Sequence, residues 1–156
     1  MYKRQRVGPL VLESELRLKQ GRFDDALAAT RQAETELSEG GDRWQLRGLY
    51  FAWGKAWANE GDLNQAKEFF RREIELNPEA LQPYAHLAFA LALEGDGPSA
   101  GATLQEMTQT NPTPEAYATA VETLQAMKDE RSAAALLRYA LQQWPDSERL
   151  RDLQEP

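Results

Sequence analysis

The chain has no cysteine. That excludes disulfides and thiolate metal sites, and it leaves the redox compartment open. It has one histidine, His86, whose neighbours at helical spacing are Gln82, Pro83, Phe89 and Ala90. None of these is a base, a nucleophile or a metal ligand, so His86 reads as an ordinary helix residue. No His, Asp and Glu cluster has zinc spacing. No long apolar run exists either. The longest, Leu87 to Leu93, is about a third of a membrane span. No stretch has the charged start, apolar middle and cleavage site of a signal peptide. Cations are in deficit, 18 Lys and Arg against 25 Asp and Glu, for a net charge of -7. A nucleic-acid-binding domain is usually basic on at least one face, so that partner is not expected. Nor is a membrane. A soluble chain is expected, cytoplasmic by default.

Chemistry-bearing patterns are equally scarce. No strand precedes a Gly-rich loop, so "GDG" at 95–97 is a turn and not a phosphate cradle. Glu34 and Glu36, like Glu73 and Glu75, stand two apart and point to different helix faces. They are poor catalytic pairs. Lys67, Arg71 and Arg72 read as a solvated basic face. No catalytic residue, cofactor or metal is expected.

What is present is repetition, in 156 residues, enough for one domain with a sizeable core. "QGRFDDAL", "EGDLNQAK" and "EGDGPSAG" each hold a Gly, four residues, then an Ala: Gly21 with Ala26, Gly61 with Ala66, Gly95 with Ala100. A fourth copy, "KDERSAAA", keeps Ala133 without the Gly. The alanine spacings are 40, 34 and 33, and Pro78, Pro112 and Pro145 repeat the last two. No stretch alternates as a strand does.

Within one period the pattern is helical. Leu46, Tyr50, Trp53 and Trp57 share a face, which predicts a helix over 43–59 capped by Asp42, with Gln45 completing a capping box. Asp62 caps the next helix, whose apolar face is Ala66, Phe69, Phe70 and Ile74. Pro78 ends that helix and suits the first turn of the one after. Further helices are predicted near 79–94, 98–110, 114–127 and 131–144. The extra length between the first two pairs, "SEGGDRWQLR", is expected to lengthen the helix that contains Trp44.

These residues resemble tetratricopeptide repeats, with their pattern Trp-x2-Leu-Gly-x2-Tyr, then Ala-x3-Phe, then Pro. The best copy is Tyr50, Trp53, Gly54, Trp57, Ala66, Phe70, Pro78; the next is Tyr84, Leu87, Ala88, Leu91, Ala100, Leu104, Pro112; the last is Tyr117, Ala120, Val121, Leu124, Ala133, Leu137, Pro145. In the first copy Glu13 and Arg17 stand where large apolar residues are expected, and Leu12 and Leu16 are expected to replace them through a one-residue shift. Val121 departs at a small-residue site, and Glu73 departs where Ala33 and Ala140 have counterparts.

The resemblance implies an all-α fold, a right-handed α-α superhelix of about four pairs. The pairs fall near 7–40, 42–77, 78–111 and 113–145. A capping helix at 146–155 has Leu150 and Leu153 facing in, and 6–156 form a single domain. Trp53 and Trp57 take core places. Trp144 packs under the last helix, and Trp44 has no family role. The resemblance also implies an interaction scaffold that binds a peptide or helix in a concave groove. The candidate groove residues are Phe51, Lys55, Gln82, Phe89, Glu122 and Gln125. A clamp for an acidic C-terminal peptide needs more cations than those faces carry, so that ligand is not expected.

Met1–Gln5 matches nothing that follows. It resembles the translation of a transposon adapter used in sequencing-library preparation; the alternative is a disordered basic start. On the first reading the chain is a fragment, the C-terminal accessory repeat region of a larger protein, an enzyme or a regulator. Its first helix is then expected to lack a cap and to offer a surface for self-association.

Overall fold

The computed structural model describes residues 7–38 and 41–154. Met1–Gln5 lie outside the described residues, so the adapter reading has no structural counterpart. The chain divides into two compact units, Met1–Asn77 and Pro78–Pro156.

In the first unit α1 (Val7–Lys19) packs along α2 (Phe23–Ser38), and α3 (Leu49–Asn59) packs along α4 (Leu63–Leu76). α1 also lies against α3. The core is Val7, Val11, Leu18, Ala26 and Ala33 from the first pair with Leu49, Tyr50, Trp53 and Phe69 from the second. In the second unit α5 (Leu81–Leu93) pairs with α6 (Gly97–Thr110), α7 (Pro114–Ala126) pairs with α8 (Glu130–Gln143), and α5 lies against α7. A short α9 (Glu148–Asp152) covers α7 and α8 with Leu150 fully buried and Leu153 half-buried. Trp144 is half-buried, its ring 5.1 Å from that of Tyr117.

The repeated alanines explain why the pairs close. Ala26, Ala66 and Ala100 are completely buried, and Ala133 nearly so, where a longer side chain would hold the helices apart. The caps repeat too. Asp62, Asp96 and Asp129 accept the backbone N–H three residues on, from Gln65, Ser99 and Ser132, satisfying donors that an isolated helix start leaves open. Before each second helix the chain bends through a left-handed residue. Gly21, Gly61 and Gly95 supply it in three turns, and Lys128, at φ 65°, supplies it in the fourth.

The start of the second pair differs from expectation. No helix runs from Arg43 to Asn59. A 3-10 turn covers Arg43–Leu46, the chain breaks at Gly48 (φ 88°), and α3 begins at Leu49. Asp42 makes no side-chain cap. The cap comes from across the pair: Glu73 of α4, 1% exposed, accepts Gly48 N–H at 2.7 Å and Phe51 N–H at 3.3 Å. The additional residues thus form a separate turn that carries Trp44 outward, 59% exposed.

α1 also departs from expectation, because the one-residue shift does not occur. Leu12 and Leu16 are 67% and 54% exposed. Val11, Ser14 and Leu18 face inward instead. Ser14 fixes this rotation. Its buried hydroxyl donates to Ala26 O at 3.0 Å and accepts from Thr30 Oγ1 at 2.7 Å, while Trp53 Nε1 donates to Thr30 Oγ1 at 2.9 Å. Turning Leu12 inward would tear Ser14 from those partners. Pro78, finally, is not in the first turn of α5. It stands ahead of it, and its carbonyl accepts from Asn111 Nδ2 at 2.9 Å and Tyr84 Oη at 3.3 Å.

Candidate interaction grooves

Two grooves lie between neighbouring first helices, one in each unit. In the first unit, α1 and α3 enclose a volume of about 620 Å³. Phe51, Lys55 and Asn59 follow one another at four-residue spacing along α3, and Glu15 and Lys19 face them from α1. Phe51 is held from two sides. Its N–H is taken by Glu73, and its ring lies 5.9 Å from that of Phe70. Lys55 Nζ sits 4.6 Å above the Phe51 ring, a cation held over an aromatic face. Two cations (Lys19, Lys55) and two acids (Glu15, Glu60) border this groove, which is therefore more mixed than the single cation expected from sequence.

In the second unit, α5 and α7 enclose about 280 Å³. Gln82, His86 and Phe89 line it from α5, and Thr119, Glu122 and Thr123 line it from α7. Phe89 is 39% exposed. Glu122 accepts from Arg149 Nη2 of α9 at 3.0 Å, with both side chains about half exposed. That pairing offsets the charge of Glu122.

The candidate residues are thus brought together in two sets, Phe51 with Lys55 and Gln82 with Phe89 and Glu122. Gln125 is half-buried on α7 and is not part of the groove wall. Sequence reasoning missed Glu15, Lys19 and Asn59. The repeat offset of 40 could have found two of them, because it maps Lys55 onto Glu15 and Asn59 onto Lys19.

Neither groove assembles a metal site. No group of three or more His, Cys, Asp or Glu able to hold an ion occurs among the described residues. No helix among the described residues is long and apolar enough to cross a membrane. Among the described tyrosines, Tyr50 departs furthest from the ordinary range. Burial, and then the Glu34 carboxylate that accepts its hydroxyl at 2.6 Å, push it up to about 12.

The fold built from these helix pairs is similar to that of solved proteins. One is YrrB, a TPR protein with an unusual peptide-binding site. It matches 90% of this chain and 70% of its own with a TM-score of 0.52 at 18% identity. The chain has the tetratricopeptide-repeat fold. A thermophilic TPR protein of Thermus thermophilus, TTC0263, agrees: its TM-score is 0.51 at 23% identity, over 91% of this chain and 76% of that one. No protein-family model matches the sequence, and no curated protein does. The TPR fold places Trp53 and Gly54 at the heart of a pair and leaves residues 51 and 55 facing the groove.

Proposed function

We propose that this TPR chain is a protein-interaction scaffold, without catalysis of its own, whose first-helix grooves hold a peptide or a helix from another protein. The observation that carries the reading is the Phe51–Lys55 arrangement. A half-buried ring is fixed by its backbone and by Phe70, and it carries a cation at 4.6 Å on the open side. A cation over an aromatic face is worth about 0.5–1 kcal/mol at exposed sites. A carboxylate beside an apolar anchor on the ligand would gain both partners. Phe89 offers a second anchor point between Gln82 and Glu122. The similar fold of YrrB, described as having a peptide-binding site, supports the class of ligand.

The test is selection from a displayed peptide library, with counter-selection on the Phe51→Ala/Phe89→Ala variant. The expected outcome is a family of peptides, each with an apolar residue next to an acid, that lose affinity for the variant and for Lys55→Glu. Both variants should keep the helical circular dichroism spectrum. Selected peptides that bind wild type and double variant equally would move the binding surface away from these grooves.

A further inference from the structure

A further groove lies on the opposite helices. Between α6 and α8 the second unit leaves about 950 Å³ open. α6 lines it with Gly97, Gly101 and Gln105, and α8 with Ser132, Leu136 and Tyr139. A helix with its side chains is about 10 Å across, so this space takes the ridge of a helix rather than a lone side chain. Glycine weakens a helix interior, as at Gly101, and among the described residues nothing uses the room that these two leave. A Cβ built at Gly97 or Gly101 meets no atom within 4 Å. The lining holds one charged residue, Asp129, and its carboxylate is taken by the cap of α8. The unit that carries the groove is acidic as a whole. Residues 78–156 hold 5 of the 18 Lys and Arg but 12 of the 25 Asp and Glu, the whole net charge of -7.

α1 is the complementary object. It exposes Leu12 and Leu16, four apart on one face, with Lys19 exposed one turn further on. Its exposed acid Glu13 is already held by Arg17 at 3.1 Å. Scattered surface leucines are ordinary, but two at this spacing with a following cation form the anchor pattern of a helix that lies in a groove.

We propose that the α6–α8 groove receives α1 of a second copy of this chain. Leu12 and Leu16 enter above Gly97 and Gly101, and Lys19 is drawn to a unit that carries the net negative charge. The contact is heterologous, a different surface on each copy, so it leaves a free helix at one end and a free groove at the other. Such contacts grow unless they close into a ring.

Sedimentation of the intact chain across micromolar to millimolar concentration tests this. The average mass should rise with concentration past the dimer. Leu12→Asp/Leu16→Asp blocks the helix, and Gly101→Gln fills the groove; each should leave only monomer. Gly101→Gln should melt at or above the wild-type temperature, which separates a filled groove from a damaged fold. Mixing the two variants should restore one contact, a 1:1 complex that grows no further. A wild-type chain that stays monomeric throughout overturns the proposal and leaves the groove to a foreign helix. Assembly that survives Gly101→Gln, or a mixture that stays monomeric, overturns it as well.

Discussion

Glu73 closes the start of α3 by accepting the backbone N–H of Gly48 at 2.7 Å. The two residues are 25 apart in sequence, yet one carboxylate also takes Phe51 N–H and does the work of an N-cap. Removing it orphans two backbone donors in a buried place. Glu73→Ala should therefore cost about 1–3 kcal/mol, and Glu73→Gln less, because one acceptor oxygen remains. Urea unfolding reports the loss. A midpoint unchanged in Glu73→Ala would mean that water replaces the carboxylate without penalty.

That cap also marks the boundary of what the sequence could tell. The pairs, their order and the cap at Asp62 were legible because each signal is local, an acid and an Ala at fixed offsets with a Gly before them in three of the four copies. Asp42 and Gln45 offered the same local signal and made no cap, since Glu73 reaches the next free N–H groups from another helix. Local patterns carry no information about such a partner. Leu12 and Leu16 misled for a related reason. They satisfy the helical period as well as Val11 and Leu18 do, and the choice between the faces is made by Ser14, whose partners lie on α2 and, through Thr30, reach α3. Phe51, Lys55, Gln82, Phe89 and Glu122 could be named from the repeat, whereas the α6–α8 groove arises from missing side chains, which leave no pattern to read.

Gly54 is a close approach between α3 and α4. A Cβ there would run into the Phe70 ring. Gly54→Ala should destabilise the first unit by about 1–3 kcal/mol through overpacking, despite the better helix propensity of alanine. Phe70→Leu in the same chain should recover part of that loss. Strict additivity of the two substitutions in thermal melts would show that ring and Cβ never meet.

Trp53 fills the first unit's core at 2% exposure, stacked on Phe69 at 5.3 Å. Trp53→Ala should cost about 3–5 kcal/mol. Trp53→Phe should cost less, while still stranding the hydrogen bond to Thr30. Amide exchange should quicken in the first and second pairs before the fourth, as expected where stability is summed over neighbours. Uniform quickening along the chain would count against that ordering.

Tyr50 predicts an alkaline limit. Burial and the Glu34 carboxylate raise its hydroxyl to about 12, whereas an unfolded tyrosine titrates near 10. Between those values the folded chain keeps a proton that the unfolded chain has lost, so stability falls as pH rises. The contribution is complete below pH 10. Tyr50→Phe removes the group and should flatten this decline, leaving a smaller slope from Tyr84 and Tyr117, which burial also raises. Urea midpoints followed from pH 10 to 12 check it, and parallel curves for variant and wild type would refute it.

Three of the four turns between paired helices bend through glycine, and the last bends through Lys128 at φ 65°. A side chain held in that conformation costs on the order of 1 kcal/mol that glycine avoids. The α7–α8 turn is thus the one of the four that holds a side chain in this conformation. A single Lys128→Gly substitution would give the fourth turn the same backbone freedom as the other three.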